Sequence, residues 1–436
     1  MDTDFVIVWG TGLFLTLLAT VPVVLRMRRR ERETSAAESE AHRYGLHEPA
    51  SLHPVVDPER CIGISNCVEV CPEGVIGVRD GQAVAVTPAR CIGHGLCERV
   101  CPMEAIRLVF GTETRGVQLP RIKANFETNV PGLYIVGELG GMGLVANAFE
   151  QGRQCVEGIA GEAERGRPDL PEVLVVGCGP AGLSASLTAR HLGLRVVTLE
   201  REDVGGTVRH YPRKKLVMTR PVIVPGWGKL KLREVTKESL IETWEGIVGA
   251  ADLDVRTGET VRSVERIAPL HFRVITDRGI HEAARVILAI GRRGVPRKLG
   301  VPGEASPHVF YALREPEVFT DDRIVVVGGG DSAVEAALAL SEQPGNEVRI
   351  SYRNQAFSRI KPRNLDRIED AIGRRAVEVL WSTEPTEIQP GLVEVAGPRG
   401  SRKVPADQLF VFIGGELPTG FLRRCGVEIE TKFGEP

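Results

Sequence analysis

Two segments of this chain carry the same glycine punctuation, and together they limit most of what it can fold into. Val173–Ser186 reads VLVVGCGPAGLSAS: an apolar strand, then Gly177-x-Gly179-x-x-Gly182, then small residues that start a helix. Arg323–Leu340 repeats the template with Gly328-x-Gly330-x-x-Ala333, and Ser332 falls in the first turn of its helix. A bare glycine pattern is weak, but a strand before it and a helix after it supply a mechanism. The glycines permit a tight turn and a close approach to a pyrophosphate, and the helix N-terminus faces its negative charge. Two such loops imply two α/β dinucleotide-binding units. Glu200 ends the strand after the first loop, where an acid would hold a ribose. VRISYR after the second loop ends on Arg353, with Arg359 close behind, and no acid stands there. An arginine in that place can neutralise a 2′-phosphate, which favours NADP over NAD. The alternative is that Arg353 is an ordinary solvated arginine.

The N-terminus is of a different kind. Phe5–Leu25 contains no charged residue, and a helix of that length rises about 30 Å, the thickness of a bilayer core. Asp2 and Asp4 precede it and Arg26, Arg28, Arg29, Arg30 and Arg32 follow. That asymmetry argues against a signal peptide and, by the positive-inside rule, leaves everything after Arg26 in the cytoplasm. A buried core helix is the competing reading. Residues 1–32 are therefore expected to be a single-pass anchor in the cell membrane, and polar, unpatterned residues 33–53 a linker. With Lys+Arg 55 against Asp+Glu 57 and aromatics at 5%, no basic surface suggests nucleic acid.

Six of the 9 cysteines fall in two repeats. Cys61-x5-Cys67-x3-Cys71-Pro72 returns as Cys91-x5-Cys97-x3-Cys101-Pro102. The pattern resembles the bacterial two-cluster ferredoxins, in which three closely spaced thiolates hold one cluster and the cysteine before proline reaches the other. The resemblance covers residues 54–110 and implies a small α+β domain with two iron-sulfur clusters. Gly63, Gly93 and Gly95 would bring backbone N–H groups close to them. Each repeat lacks one cysteine of the family pattern, with Ile64 in the first and His94 in the second. Cross-ligation then assigns Cys61, Cys67 and Cys101 to one cluster, expected to be 3Fe-4S because Ile64 cannot donate. Cys91, Cys97 and Cys71 hold the other, which is 4Fe-4S if His94 ligates and 3Fe-4S if it stands aside. A zinc site is the competing reading.

The glycine loops belong to a wider resemblance. Glu127–Gln154, ETNVPGLYIVGELGGMGLVANAFEQGRQ, is similar to the flavin-clasp motif that closes the thioredoxin-reductase-like flavoproteins of the pyridine nucleotide-disulfide oxidoreductase group. Gly205-Gly206-Thr207 and the LAIGRR segment at Leu288–Arg293 continue it. In this chain the clasp stands ahead of the first glycine loop, and the last residues, VFIGGELPTGFLRRCGVEIETKFGEP, resemble the stretch that normally leads into it. The chain thus reads as circularly permuted. The resemblance implies an α/β architecture of two Rossmann-like units: residues 111–170 as the displaced piece of an FAD domain, 171–298 as its main body, 299–404 as an NAD(P) domain and 405–436 as the return to the FAD domain. It implies FAD at Gly177, Gly179, Gly182, Glu200, Gly206 and Thr207, with Gly137 and Glu138 at the ribityl chain and Asn147 near the flavin ring. Glu138 replaces the family's usual aspartate. Gly328, Gly330, Ser332 and Arg353 would take NAD(P)H. Relatives carry more arginines after the second loop, and Asn354 and Ser358 occupy two of those places.

Thioredoxin reductases carry a redox Cys-x-x-Cys just before the second loop, whereas Val309–Phe319 here has no cysteine. Cys155, Cys178 and Cys425 are isolated and read as buried small residues. Dithiol exchange is therefore not expected, no acid-base pair is conspicuous, and the clusters offer reduced flavin another outlet. The expected activity is electron transfer between NAD(P)H, FAD and two clusters, to or from a one-electron partner such as a ferredoxin, a membrane redox complex or the quinone pool. A flavin-dependent reductase of a small disulfide and a non-catalytic redox sensor are the alternatives. The family resemblance also implies a homodimer.

Overall fold

The computed structural model describes residues 3–435 apart from 45, 46, 48, 50, 51, 142, 163–165, 212, 214, 219, 220, 231–233, 293, 294, 358, 359 and 417. Arg293, Ser358 and Arg359 therefore lie outside the described residues. The chain forms two compact units, Met1–Arg115 with Gly434–Pro436, and Gly116–Phe433.

The first unit begins with one helix, α1 (Thr3–Tyr44). Thr16 and Thr20 donate their hydroxyls back to the carbonyls of Gly12 and Thr16, at 2.8 and 2.7 Å. This satisfies polar groups inside the apolar run without water. The helix does not stop at Arg32, so the linker expected over 33–53 is corrected: helix continues to Tyr44. The reason is a stripe at helical spacing. Arg30 pairs with Glu69, Thr34 accepts from the Val78 N–H at 3.0 Å, Glu38 pairs with Arg79 at 2.7 Å, and Ala41 is buried.

Beyond α1 lie β1 (Leu52–Val56), the short helix α2 (Asn66–Glu69), β2 (Ile76–Arg79), β3 (Gln82–Ala85), the short helix α3 (Leu96–Arg99) and β4 (Ile106–Phe110). β1 and β4 pair antiparallel, Leu52 opposite Phe110. β2 and β3 form a hairpin through Asp80-Gly81, both at positive φ, the geometry such a two-residue turn demands.

The second unit contains two parallel sheets. β5 (Val117–Pro120), β6 (Leu133–Ile135) and α4 (Val145–Ala160) precede β7 (Val173–Val176), α5 (Pro180–His191) and β8 (Val196–Leu199). The first sheet runs Val255–Arg256, β8, β7, Arg285–Leu288, β6, all parallel. Its edge strand thus comes from ahead of the first glycine loop. α4 packs so closely on α5 that a Cβ on Gly152 would overlap the carbonyl of Ala181. Ser184 of α5 donates to the Phe149 carbonyl at 2.6 Å. At the other end of the sequence Ile429–Lys432 pairs antiparallel with β5, bringing the chain's last strand beside this early segment.

The second sheet runs Val309–Phe310, Gln408–Val411, Arg323–Val327, Glu347–Tyr352, Val377–Trp381. Gln408–Val411 lies beyond the expected NAD(P) boundary at 404, so that boundary is corrected. Three of its four residues are buried, and it pairs with Arg323–Val327 in the interior of the sheet, where an apolar run belongs. The return to the first nucleotide unit comes later, where Gly415–Glu416 pairs with Val295–Pro296.

Candidate functional site

The first glycine loop joins β7 to α5. Gly177 has φ +100°, and a Cβ there would lie 2.7 Å from the Ala289 carbonyl oxygen. A Cβ on Gly182 would overlap the carbonyl oxygen of Gly177, so both positions are glycine because packing requires it. Gly179 is different. It caps α5, and the nearest atom to a Cβ there is the Gly206 Cα at 3.8 Å. It leaves room above the helix N-terminus, where a pyrophosphate would need it. Glu200 is buried just past the end of β8, and its carboxylate accepts from the N–H groups of Cys178 at 2.6 Å and Glu202 at 2.9 Å. It is thus fixed against the glycine loop.

Two further segments meet this loop. Gly206 and Thr207 lie in a short 3-10 turn, tied by the Gly205 N–H to the Cys178 carbonyl at 2.9 Å. Gly137 and Glu138 start another such turn, and a Cβ on Gly137 would stand 2.9 Å from the Ala181 Cβ. Asn147 is half-buried in the first turn of α4. The sequence reading missed Gln151, one turn further along, whose Oε1 accepts from the Gly137 N–H at 2.7 Å. A polar residue on the buried face of α4 was the available signal. The cradle fits a dinucleotide: backbone approaches closely, polar groups are fixed, and space is kept at the helix end.

The second loop repeats the plan and is as tightly packed at its first glycine, where a Cβ would overlap the Phe412 carbonyl oxygen. Gly328, at φ +132°, donates to the Ser351 carbonyl at 3.0 Å. Gly330 caps the helix Asp331–Ser341, and a Cβ there would meet nothing within 4 Å. Ser332 and Arg353 are exposed. Arg353 follows directly on the strand that ends at Tyr352, two residues from the carbonyl that holds Gly328. Tyr352 was also missed. Its ring lies so close beneath the loop that a Cβ on Gly329 would overlap it.

The six repeat cysteines line two cavities in crossed sets. One is lined by Cys61 and Cys67 from the first repeat and Cys101 from the second. The other is lined by Cys91, Cys97 and Cys71, with His94 in its wall. Ile64 lines the first cavity at the place equivalent to His94. Among the described residues no three His, Cys, Asp or Glu side chains converge on a point that would hold one metal ion. The thiols stand around a volume, which suits a polynuclear cluster better than zinc. Gly63, Gly93 and Gly95 all have positive φ, and the N–H groups of Ala83 and Ala105 point to the sulfurs of Cys61 and Cys101 at 3.4 and 3.3 Å. Burial pushes the Cys67 and Cys91 thiols up to about 11. A metal centre held by these thiols would have to displace their protons.

The other thiols are not placed for exchange chemistry. Cys155, Cys178 and Cys425 are buried; burial raises all three, Cys178 to about 12 and Cys425 to about 11. Where a dithiol would stand, Phe310 and Phe319 instead pack on Phe410 with ring centroids 5.1 Å away in each case.

Both parts of the chain resemble known proteins. The sequence model described as a 4Fe-4S dicluster domain matches residues 53–102. A ferredoxin–NADP reductase of Ignicoccus hospitalis is 31% identical over 270 residues, covering 60% of this chain and 83% of that protein. Bacilliredoxin reductase Bdr of Bacillus subtilis is 26% identical over 276 residues, covering 61% and 83%. Among solved structures, bacillithiol disulfide reductase Bdr of Staphylococcus aureus shares the fold with a TM-score of 0.55 at 24% identity, covering 60% of this chain and 81% of that one. The sequence model described as pyridine nucleotide-disulphide oxidoreductase matches residues 174–436, which takes in both glycine loops, and the chain belongs to that family.

Proposed function

We propose that this chain is a membrane-anchored, FAD-dependent oxidoreductase that passes electrons between NAD(P)H, FAD and two iron-sulfur clusters. A one-electron partner stands at the far end: a ferredoxin, a membrane redox complex or the quinone pool. The observation that carries this reading is the crossed pair of three-cysteine cavities in a chain of a flavin reductase family whose other thiols are buried. When bound, nicotinamide supplies a hydride, flavin converts it to single electrons, and clusters accept those one at a time.

The chain's own residues bind, orient and exclude water. Gly177, Gly179 and Gly182 shape the first pyrophosphate seat, Glu200 takes the ribose, and Gly206, Thr207, Gly137, Glu138 and Asn147 line the rest. Gly328, Gly330, Ser332 and Arg353 receive NAD(P)H, with NADP favoured by Arg353. Cys61, Cys67 and Cys101 hold one cluster and Cys71, Cys91 and Cys97 the other, with His94 a fourth donor or a bystander. α1 supplies the anchor: among the described residues it alone is long and apolar enough to cross a bilayer, and the side chains described from Thr11 to Leu25 are exposed. The catalytic part then lies in the cytoplasm. A homodimer is part of this reading, by resemblance to the family.

The test is an anaerobic NADPH titration of the full chain in detergent, following flavin and iron-sulfur absorbance separately. Loss of both supports the route. Bleaching of flavin alone, with clusters fully loaded, would refute electron flow from NADPH to the clusters. A second reading, direct reduction of a small disulfide by the flavin, is favoured by the likeness to the Bdr reductases. It requires NADPH-dependent thiol release from an added low-molecular-weight disulfide.

A further inference from the structure

The two cluster cavities are related by the sequence repeat, yet their rims differ. Around the first cavity stand Ile62, Ile64 and Met103, exposed by 63%, 48% and 43%. The equivalent positions around the second are Ile92, His94 and Glu73. At these three positions the first rim is apolar and exposed, while the second keeps only Ile92 apolar and carries an imidazole and a carboxylate at the other two. Three exposed apolar side chains on one small rim call for a partner surface.

α1 indicates which surface. Its contacts succeed one another along the helix axis: Arg30 with Glu69, then Thr34 with Val78, then Glu38 with Arg79. At 1.5 Å per residue the first contact lies about 8 Å beyond Leu25 and the last about 20 Å beyond it. Of these three contacts, the one to α2 through Glu69 lies nearest the apolar run, and the two to β2 lie further along the helix. α2 comes directly after Cys61–Ser65, the loop that forms part of the first cavity's wall and carries Ile62 and Ile64. Because α1 is one helix through these contacts, the module is held by a strut and cannot turn freely at the end of a tether.

The geometry points to a bilayer contact made by this rim. Ile62, Ile64 and Met103 rest in the lipid interface, so that the Cys61/Cys67/Cys101 centre is presented to the membrane and the Cys71/Cys91/Cys97 centre to water. This rests on α1 spanning the bilayer, which is part of the proposed function. Apolar side chains inserted at headgroup depth beside a basic helix end are a stable interfacial arrangement.

The test is photocrosslinking of the full chain in phosphatidylcholine nanodiscs, with a lipid carrying a diazirine at glycerol depth. Mass spectrometry should find adducts on the Ile62–Ile64 loop and Met103 as well as on α1, and at least tenfold fewer on Glu73 and Ile92. Ile64→Ser with Met103→Glu, which makes the first rim polar, should lower the adducts at Ile62 at least tenfold and leave those on α1 unchanged. Adducts on α1 with none on the rim would overturn the contact while leaving the anchor standing. Equal adducts on both rims would overturn it too. No adducts on α1 would instead remove the anchor reading on which it rests.

Discussion

The two glycine loops are built on one strand-turn-helix plan and differ in how tightly they are closed. In the first, the third glycine is compulsory because Gly182 lies against the Gly177 carbonyl; in the second, Ala333 occupies that place and is fully buried without conflict. The first is sealed by Glu200, which binds the loop's own N–H, and by the turns at Gly137 and Gly206. The second ends in the open, with Ser332 and Arg353 exposed. Under the proposed function the difference separates a cofactor that stays from one that comes and goes. Enclosure is set less by the glycines themselves than by the side chain at the end of the second strand.

The largest effect should come from Gly182→Ala. The added methyl has only backbone to push against, and overpacking of this kind costs about 3 kcal/mol. The purified variant should lose bound flavin and unfold at lower temperature; a variant with full flavin content would show that the first loop is no tighter than the second.

Glu200→Gln should come next. The carboxylate accepts two backbone N–H groups, whereas an amide turns one end into a donor facing a donor, at a cost of about 2 kcal/mol. The flavin-to-protein ratio should fall while binding of NADP-type ligands is kept. Equal loss at both sites would remove the contrast between an acid-sealed and an open loop.

Much of this contrast was legible in the sequence, because glycine spacing, an acid at one strand end and an arginine at the other are local signals. The crossed cysteine sets were legible only through the resemblance to two-cluster ferredoxins, which implies that the cysteine before each proline reaches the other site. What was not legible had physical reasons. The stripe Arg30, Thr34, Glu38, Ala41 has helical spacing but little hydrophobicity, so the segment read as a tether. Gln408–Val411 was assigned to the wrong unit because nothing in a short apolar run says which sheet will accept it. Gln151 and Tyr352 act on loops many residues away in sequence, and only the folded chain brings them there.

Arg353→Ala bears on the open loop. If this arginine meets a 2′-phosphate, its loss removes one charge-assisted contact of about 1.4 kcal/mol, a tenfold rise in KM for NADPH with little change for NADH. Steady-state kinetics with ferricyanide as acceptor separates the two nucleotides. A parallel change in both, or none, would make Arg353 an ordinary surface residue and leave the second loop without a 2′-phosphate selector.

The smallest effect should be Ala333→Gly, which gives the second loop the third glycine of the first. Nothing in the second loop needs the space, so the change only removes a buried methyl and helix propensity in the helix Asp331–Ser341, about 1 kcal/mol. Thermal unfolding should shift by a few degrees, with flavin content and KM for NADPH unchanged. A gain in NADPH affinity would mean that Ala333 holds the loop away from its ligand, so that the second site is open because its third residue keeps it so. An unchanged affinity would mean that its openness comes from the missing acid after the strand, and that the two loops differ chiefly at Glu200 and Arg353.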